Sequence, residues 1–489
     1  MRPNIVLILT DDQGWKDLGC TGSHYYQTPH IDQVAADGML FTQAYSAAPI
    51  CSPSRGAIYS GQYPARSKYT AVIRPYVEQD AELHDVSKPI NGNIQNHEAL
   101  HRHCFPRTIP TIAEMIDGAG YYTGFFGKWH CGWNEAHWPD KRGWHIAEGF
   151  RTVPSGTKGH FGRDFIPLKC KGLDDLCEDD YMTDVLTNRA VTFLEDAAAR
   201  ETPFFLTLSH YAVHTPLSVP DDLVEKYRKL PTTDQDNPVY AGMLEKVDDS
   251  VGKIVETLRD LGIEDNTMVI FTSDNGGLSP NSTSNYPLLG GKSFCYEAGM
   301  RVPFIVKWPA KVAAGRRETT RTVSVDLVPT WLRMAGIEAP ATTTLDGEDL
   351  LPLLTAGIRP APRPIFFHHP HYTHAAGPFS SVIFDDWKLI RFYNDTSGTD
   401  QLFDMSADPY EMNDLATLRP ERTTELREVL DQWLDDTDAE LPKSNGGFNP
   451  ELPPEQDKQF TWELALKERE EHERKWRASE AGQQCLNSK

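Results

Sequence analysis

Four segments place chemically able side chains directly after apolar runs: DDQG, GKWH, SHYAVHTP and SDNGG. They contribute Asp11 and Asp12, Lys128 and His130, His210 and His214, and Asp274 and Asn275. Asp11, Asp12, Asp274 and Asn275 form a hard, all-oxygen donor set. Such a set favours Ca²⁺ or Mg²⁺ over zinc. Adjacent aspartates point opposite ways in a regular strand, so they meet one ion only if the chain turns just past the strand. Each pair could instead cap a helix or close a turn. The recurrence of the pattern after two separate apolar runs favours the metal.

Around that set stand five cationic or protonatable groups. Lys128, His130 and His214 are joined by Lys292 in LLGGKSFCYEAG and by Arg55, four residues after Cys51 in CSPSRGAIYSG. Two lysines, two histidines and an arginine suit a tetrahedral, multiply charged oxyanion bound beside a cation. Taken singly, Lys292 reads as a surface lysine and His130 as a packing residue; the combined motif context assigns both to the site. His210 stays open between site and core, and Trp129 reads as packing. These residues support a metal-assisted hydrolase of phosphate or sulfate esters, with Cys51 as a thiolate nucleophile. That role carries a chemical conflict, because a soft thiolate partners a hard ion poorly.

The elements that must position these groups alternate. NIVLILT, the run before GKWH, PFFLTLS, TMVIFTS and VPFIVKWP read as buried strands, with helices between them. This pattern predicts an α/β fold, a large, mostly parallel (mixed) sheet sandwiched by helices. Ligands of such sheets bind beyond the carboxyl ends of the strands. The pattern changes at TAGIRPAPRP. RPIFFHHPHY, FSSVIFDDWKLIRFY and TDQLFDMSADPYE read as short antiparallel strands and ERTTELREVLDQWLDDTDAEL as a closing helix. The expected division is residues 1–358 as catalytic domain, 359–441 as a smaller C-terminal domain, and 442–489 as a polar extension. Trp462, Leu466 and Trp476 of that extension could clip it to the body.

Composition sets outer limits. The 489 residues are 39% apolar, enough for a large core, and the formal charge of −22 repels nucleic acid and anionic membranes. There is no apolar run of membrane-spanning length. The start reads as a buried strand without a signal-cleavage region. That suggests a cytoplasmic protein if the sequence is complete, and a periplasmic or secreted one if a leader has been removed. Of eight cysteines, only Cys170 and Cys177 are spaced for an easy local bridge. NST at Asn281 and NDT at Asn394 match the glycosylation pattern.

CSPSRGAIYSG resembles the signature of the type I, formylglycine-dependent sulfatases of the alkaline phosphatase superfamily, through Cys51, Pro53 and Arg55. NIVLILTDDQG, GKWH, HTP, TSDNGG, GGKSFCYEAGMRVPFIVKWP and LFDMSADPYEMNDLA are similar to further family segments, over about residues 3 to 435. The chain departs from the family at Cys131, often Leu there, and at Ala298, usually Gly.

The resemblance implies that a formylglycine-generating or anaerobic sulfatase-maturating enzyme oxidises Cys51 to Cα-formylglycine. The aldehyde hydrate is an oxygen nucleophile and a hard ligand, which removes the thiolate conflict. It further implies that Asp11, Asp12, Asp274 and Asn275 hold Ca²⁺ with the residue made from Cys51. Arg55 would stabilise the hydrate and Lys128 the sulfate oxygens. Lys292 and His214 would serve the leaving oxygen, and His130 would take the proton that lets sulfate depart. Pro53 and the small serines should keep the segment extended and accessible, with a helix from Gly56.

Polar loops suit a sulfated sugar, and HHPHY resembles a segment of carbohydrate-acting family members, a resemblance that implies an exo-acting glycan sulfatase. Candidate sugar contacts are His97 and Arg102 in NGNIQNHEALHRH and His369 and His371 in HHPHYTHAAG. The latter also contains His368 and His374, so a second metal site is conceivable there. The rival readings are a phosphomonoester or phosphonate monoester hydrolase of the same superfamily, and a catalytically silent glycan-binding protein.

Overall fold

Seven residues of the first apolar run, Asn4–Thr10 (β1), form a fully buried strand at the centre of the molecule. The computed structural model describes residues 2–73, 96–152, 159–278, 282–372, 377–393, 400–445, 462–479 and 483. Asn281, His374 and Asn394 lie outside them, as does the side chain of His97. Around β1 are Met39–Phe41 (β2), Tyr122–Gly127 (β3), Ile146–Glu148 (β4), Phe204–Ser209 (β5), Thr267–Ser273 (β6), Phe304–Lys307 (β7) and Arg316–Glu318 (β8). They build one sheet in the order β8-β2-β7-β6-β1-β5-β3-β4. Only β7 runs antiparallel to its neighbours, β2 and β6. The expected mostly parallel sheet is therefore present.

Alternation along β1 divides the core in two. Val6 and Ile8 face a layer formed by Pro29–Ala36 (α1), Met182–Ala199 (α3) and Pro238–Asp260 (α4). Ile5, Leu7 and Leu9 face Cys51–Ser60 (α2) and Leu327–Ala335 (α5). α4 starts where Asn237 accepts from the amides of Val239 and Tyr240, with Pro238 at the first helical position.

A second sheet, Ile365–His369 (β9), Phe379–Phe384 (β10), Trp387–Phe392 (β11) and Asp400–Asp404 (β12), is an antiparallel meander. Its core closes against Pro420–Asp436 (α6), where Trp433 stacks on Phe366 at 4.5 Å. This core also takes in Tyr45, Phe294 and Tyr296 from the main body. Beneath them, buried Lys388 meets Glu297 at 3.3 Å and Glu411 at 2.6 Å. The last helix, Trp462–Ala478 (α7), lays Trp462, Ala465 and Leu466 on the same core.

Two expectations are corrected. Cys170 and Cys177 are free thiols. The Cys51 segment is neither extended nor accessible. The helix starts at Cys51 itself, and its ten residues are all buried. Pro53 falls in the first turn, where its missing N–H costs no hydrogen bond. Among the described residues, no helix is long and apolar enough to cross a membrane.

Candidate active site

The strands β6, β1, β5 and β3 are consecutive neighbours, and Ser273, Thr10, Ser209 and Gly127 end them at one sheet edge, Thr10 opposite Ser273 and Gly127 opposite Ser209, with Leu9 the partner of Ser209 on β1. The chemically able residues follow those positions directly. Asp11 still donates its amide to Ala212 at 2.9 Å, as a continuing strand would. Asp12 then turns left-handed at φ 62°, and its amide donates to Asp274 Oδ1 at 3.1 Å. This turn brings the two adjacent carboxylates to one side. At Gly276 a Cβ would lie 1.9 Å from the Ala298 carbonyl, so the loop after Asn275 packs too closely for a side chain.

Cys51 meets this acidic cage from α2. Its Sγ lies 3.3 Å from Asp11 Oδ1 and 3.6 Å from Asp12 Oδ1. Ligand atoms of Asp11, Asp12, Cys51 and Asp274 all lie within 4.8 Å of one another. Burial, then Asp11 and Asp274, push the thiol well above its usual pKa, so a thiolate is disfavoured there. Asn275 Nδ2 donates to Asp12 Oδ1 at 2.9 Å, while its Oδ1 is buried without a hydrogen-bond partner. An unsatisfied buried acceptor beside three carboxylates fits a hard divalent cation.

The cations surround the cage. Lys128 Nζ is 2.5 Å from Asp11 Oδ2, and Lys292 Nζ is 2.7 Å from Asp12 Oδ2. Burial alone would raise the Asp11 pKa; Lys128, His214, Arg55 and Lys292 together hold it well below the ordinary range. At Asp274 burial prevails over Arg55 and the pKa rises to about 6.

Arg55 is fully buried, with Nε 2.8 Å from Asp274 Oδ2 and Nη1 donating to the Lys128 carbonyl and to Ser209 Oγ. Removing one partner of such a buried pair costs about 3–5 kcal/mol. Ser54 adds a bond from its hydroxyl to the Asp274 carbonyl. Ser54 and Ser209 escaped the sequence reading, since isolated serines give no pattern.

His214 Nδ1 lies 2.5 Å from the Thr215 carbonyl, which only accepts. The proton is therefore on Nδ1, and Nε2 faces Asp12 Oδ2 at 3.5 Å. His130 follows the strand at φ 56°, held by a bond from the Tyr69 hydroxyl to its carbonyl. Its Nδ1 has no hydrogen-bond partner. His130, His214 and Lys292 are half-buried, whereas the carboxylates below them are fully covered. The site is thus a buried anionic floor under a partly open ring of donors.

Other candidates lie elsewhere. His210 is buried in the core and bonds Ser250 Oγ of α4. His369 and His371 are buried and do not line an open rim. His371 bonds Thr70 Oγ1 at 2.7 Å and its ring packs on His101, which packs on His103. Among the described residues, which leave out His374, these histidines do not bring three ligand atoms within 4.8 Å of one another. Arg102 is half-buried, its amide bonded to the Lys68 carbonyl. Trp129 is a packing residue, stacked on Tyr59 at 5.1 Å.

The profile of the family described as Sulfatase matches residues 3–337, and that described as N-sulphoglucosamine sulphohydrolase, C-terminal, matches residues 289–440. The chain is 36% identical over 389 residues to the N-acetylgalactosamine-6-sulfatase of Mus musculus, covering 75% of this chain and 68% of that protein. It is 29% identical over 445 residues to the Steryl-sulfatase of Rattus norvegicus, covering 75% and 73% respectively. Its fold superimposes on the crystal structure of Ps i-CgsB in complex with k-i-k-neocarrahexaose, with TM-score 0.76 and 27% identity over 97% of this chain and 98% of that one.

Proposed function

The chain belongs to the sulfatase family, an enzyme family of sulfate-ester hydrolysis, and from that premise we propose an exo-acting sulfatase of sulfated carbohydrates, armed at Cys51. One observation carries the reading: Cys51 Sγ sits within 3.6 Å of two carboxylates, in a place where its own ionisation is disfavoured. Neither packing nor a disulfide explains a thiol there. An oxygen at that position, made by a formylglycine-generating or anaerobic sulfatase-maturating enzyme, resolves the mismatch.

Asp11, Asp12, Asp274 and Asn275 would hold the divalent ion, with Ca²⁺ the best match to their oxygens. When present, the ion and the formylglycine supply a Lewis acid and an oxygen nucleophile. Lys128 and Lys292 neutralise the sulfate oxygens. Arg55 fixes Asp274 and orients the group at position 51. His214 and Lys292 face the bridging oxygen; in its imidazolium form, protonated at Nε2 as well as Nδ1, His214 gives the departing alcohol its proton. His130 accepts the proton released as inorganic sulfate leaves. Backbone bonds hold both histidine loops, so these groups stand oriented before substrate binds.

The sugar assignment draws on the relatives' substrates and on the polar loops beside the site. Arg102, half-buried, is the more open of the described residues in the proposed sugar wall, with His369 and His371 as buried support. Calcium supply and a glycan substrate favour a periplasmic or extracellular setting. The test is mass spectrometry of the peptide spanning Cys51 in protein co-produced with a maturation enzyme. Sulfate release from defined sulfated saccharides is then measured beside aryl sulfate, aryl phosphate and phosphonate esters. Equal or faster phosphoryl transfer would overturn the reading, and binding without turnover in converted protein would favour the silent module.

A further inference from the structure

The last helix, α7, packs against the loop that delivers Lys292. Arg469 of α7 lies over two tyrosine rings, at 5.1 Å from the centroid of Tyr286 and 5.8 Å from that of Tyr410. Its Nε also donates to the Pro287 carbonyl at 3.2 Å. One turn or more further on, Trp476 stacks on Tyr286 with ring centroids 6.0 Å apart. At its other end α7 is anchored by Trp462 Nε1, which donates to the Glu411 carbonyl at 3.0 Å.

The contacts continue inward from Tyr286. The neighbouring Asn285 is buried, and its Nδ2 donates to the carbonyls of Leu278 at 2.9 Å and Gly290 at 3.2 Å. Asn285 thereby ties the loop after Asp274-Asn275 to the loop before Lys292. The Lys292 amide closes the same arrangement by donating to the Gly277 carbonyl at 2.7 Å. On the far side Thr283 Oγ1 bonds Asp17, whose carboxylate receives the Gly14 amide just past Asp12. Loop, metal-side acids and lysine are thus one connected unit, and α7 bears on its outer edge.

The geometry points to Arg469 as a positioning residue for Lys292. It holds the Tyr286-Pro287 turn, and through Asn285 it sets where the Lys292 ammonium stands against Asp12. The inference rests on the proposed role of Lys292 as a sulfate ligand. A stacked guanidinium with one backbone bond suits the task, because it restrains a turn by shape and charge together.

The test uses matured full-length enzyme and reads KM, kcat and the inhibition constant of inorganic sulfate. Arg469→Ala should raise KM and the sulfate inhibition constant together, about three- to tenfold, with kcat changed less. Arg469→Lys, which keeps a cation over the rings, should recover part of the loss. Trp476→Ala, nearer the end of the helix, should move both constants the same way by less, and serves if Arg469→Ala folds poorly. Lys292→Ala is the reference. If it raises the sulfate inhibition constant while Arg469→Ala and Trp476→Ala leave it at the wild-type value, the positioning role is wrong and the sulfate role of Lys292 stands. If Lys292→Ala leaves it unchanged, the sulfate role fails and the positioning role with it.

Discussion

Cys51 Sγ lies 3.3 Å from Asp11 Oδ1, at the first residue of a helix that is buried along its whole length. The pairing puts a sulfur against a carboxylate, where the proposed mechanism needs a cation and an oxygen.

Cys51→Ala should therefore abolish turnover while leaving the fold intact. Sulfate release is expected to fall by about 10⁴-fold or more. The melting temperature of the metal-free protein should change little, since alanine fits the first turn of a helix. Retained activity in this variant would overturn the nucleophile assignment.

Asn275→Ala should weaken ion binding without breaking a buried ion pair, because its Oδ1 has no hydrogen-bond partner. Chelation should lower the melting temperature of the wild type, and Ca²⁺ should restore it. A tenfold weaker site reduces that stabilisation by about 1.4 kcal/mol at fixed, saturating ion. Thermal unfolding across a calcium titration, with bound ion measured directly, checks it.

His214→Gln should discriminate between leaving groups. A sugar alcohol needs a proton as it departs, whereas a nitrophenolate does not. Loss of proton donation is expected to slow sugar-sulfate hydrolysis by about 10²- to 10⁴-fold, and 4-nitrophenyl sulfate hydrolysis much less. Parallel kinetics on the two substrates give the ratio, and equal losses would remove His214 from this role.

Gly127→Ala should destabilise the protein and displace Lys128. Gly127 has φ 109°, and a Cβ there would lie 2.0 Å from the Ser209 carbonyl. That same carbonyl receives the Lys128 amide at 2.7 Å. Strain and overlap together should cost about 2–4 kcal/mol. The urea midpoint reports it.

The buried Glu297-Lys388-Glu411 group predicts a pH effect on stability away from the site. Burial, opposed by Lys388 and reinforced by Glu297, raises Glu411 from its ordinary 4.5 to about 7. Between those values the folded state holds more protons than the unfolded state, so stability falls as pH rises from 4.5 towards 7 and levels off above. Glu411→Gln should flatten that slope, by on the order of 1–3 kcal/mol across the interval. Melting temperatures from pH 4.5 to 8 decide it.

Much of the site could be read because several of its groups follow buried strands directly. Asp11, Lys128 and Asp274 are carried to one edge by the parallel sheet, and apolar runs announce such strands. His210 shows the limit of the rule. It too follows a strand, yet its amide still bonds the Leu9 carbonyl and its ring turns into the core towards Ser250. Which face a residue takes one step past a strand depends on local backbone angles that periodicity does not carry. His369 and His371 were read as rim residues because polar clusters usually face water. Here Thr70 and His101, about 300 positions earlier in the chain, enclose His371. Arg469 and Pro287, 182 residues apart, left no joint pattern either.

The depth of Cys51 also orders events in the life of the chain. With 2% of its surface exposed, at the start of a helix pinned between two layers, the thiol offers no grip to another protein once the domain has closed. On the proposed maturation of Cys51, a catalyst that oxidises it must arrive before the domain closes. A batch purified in the thiol form would stay inert on later mixing with that catalyst, and only unfolding followed by renaturation in its presence would bring the molecules to life.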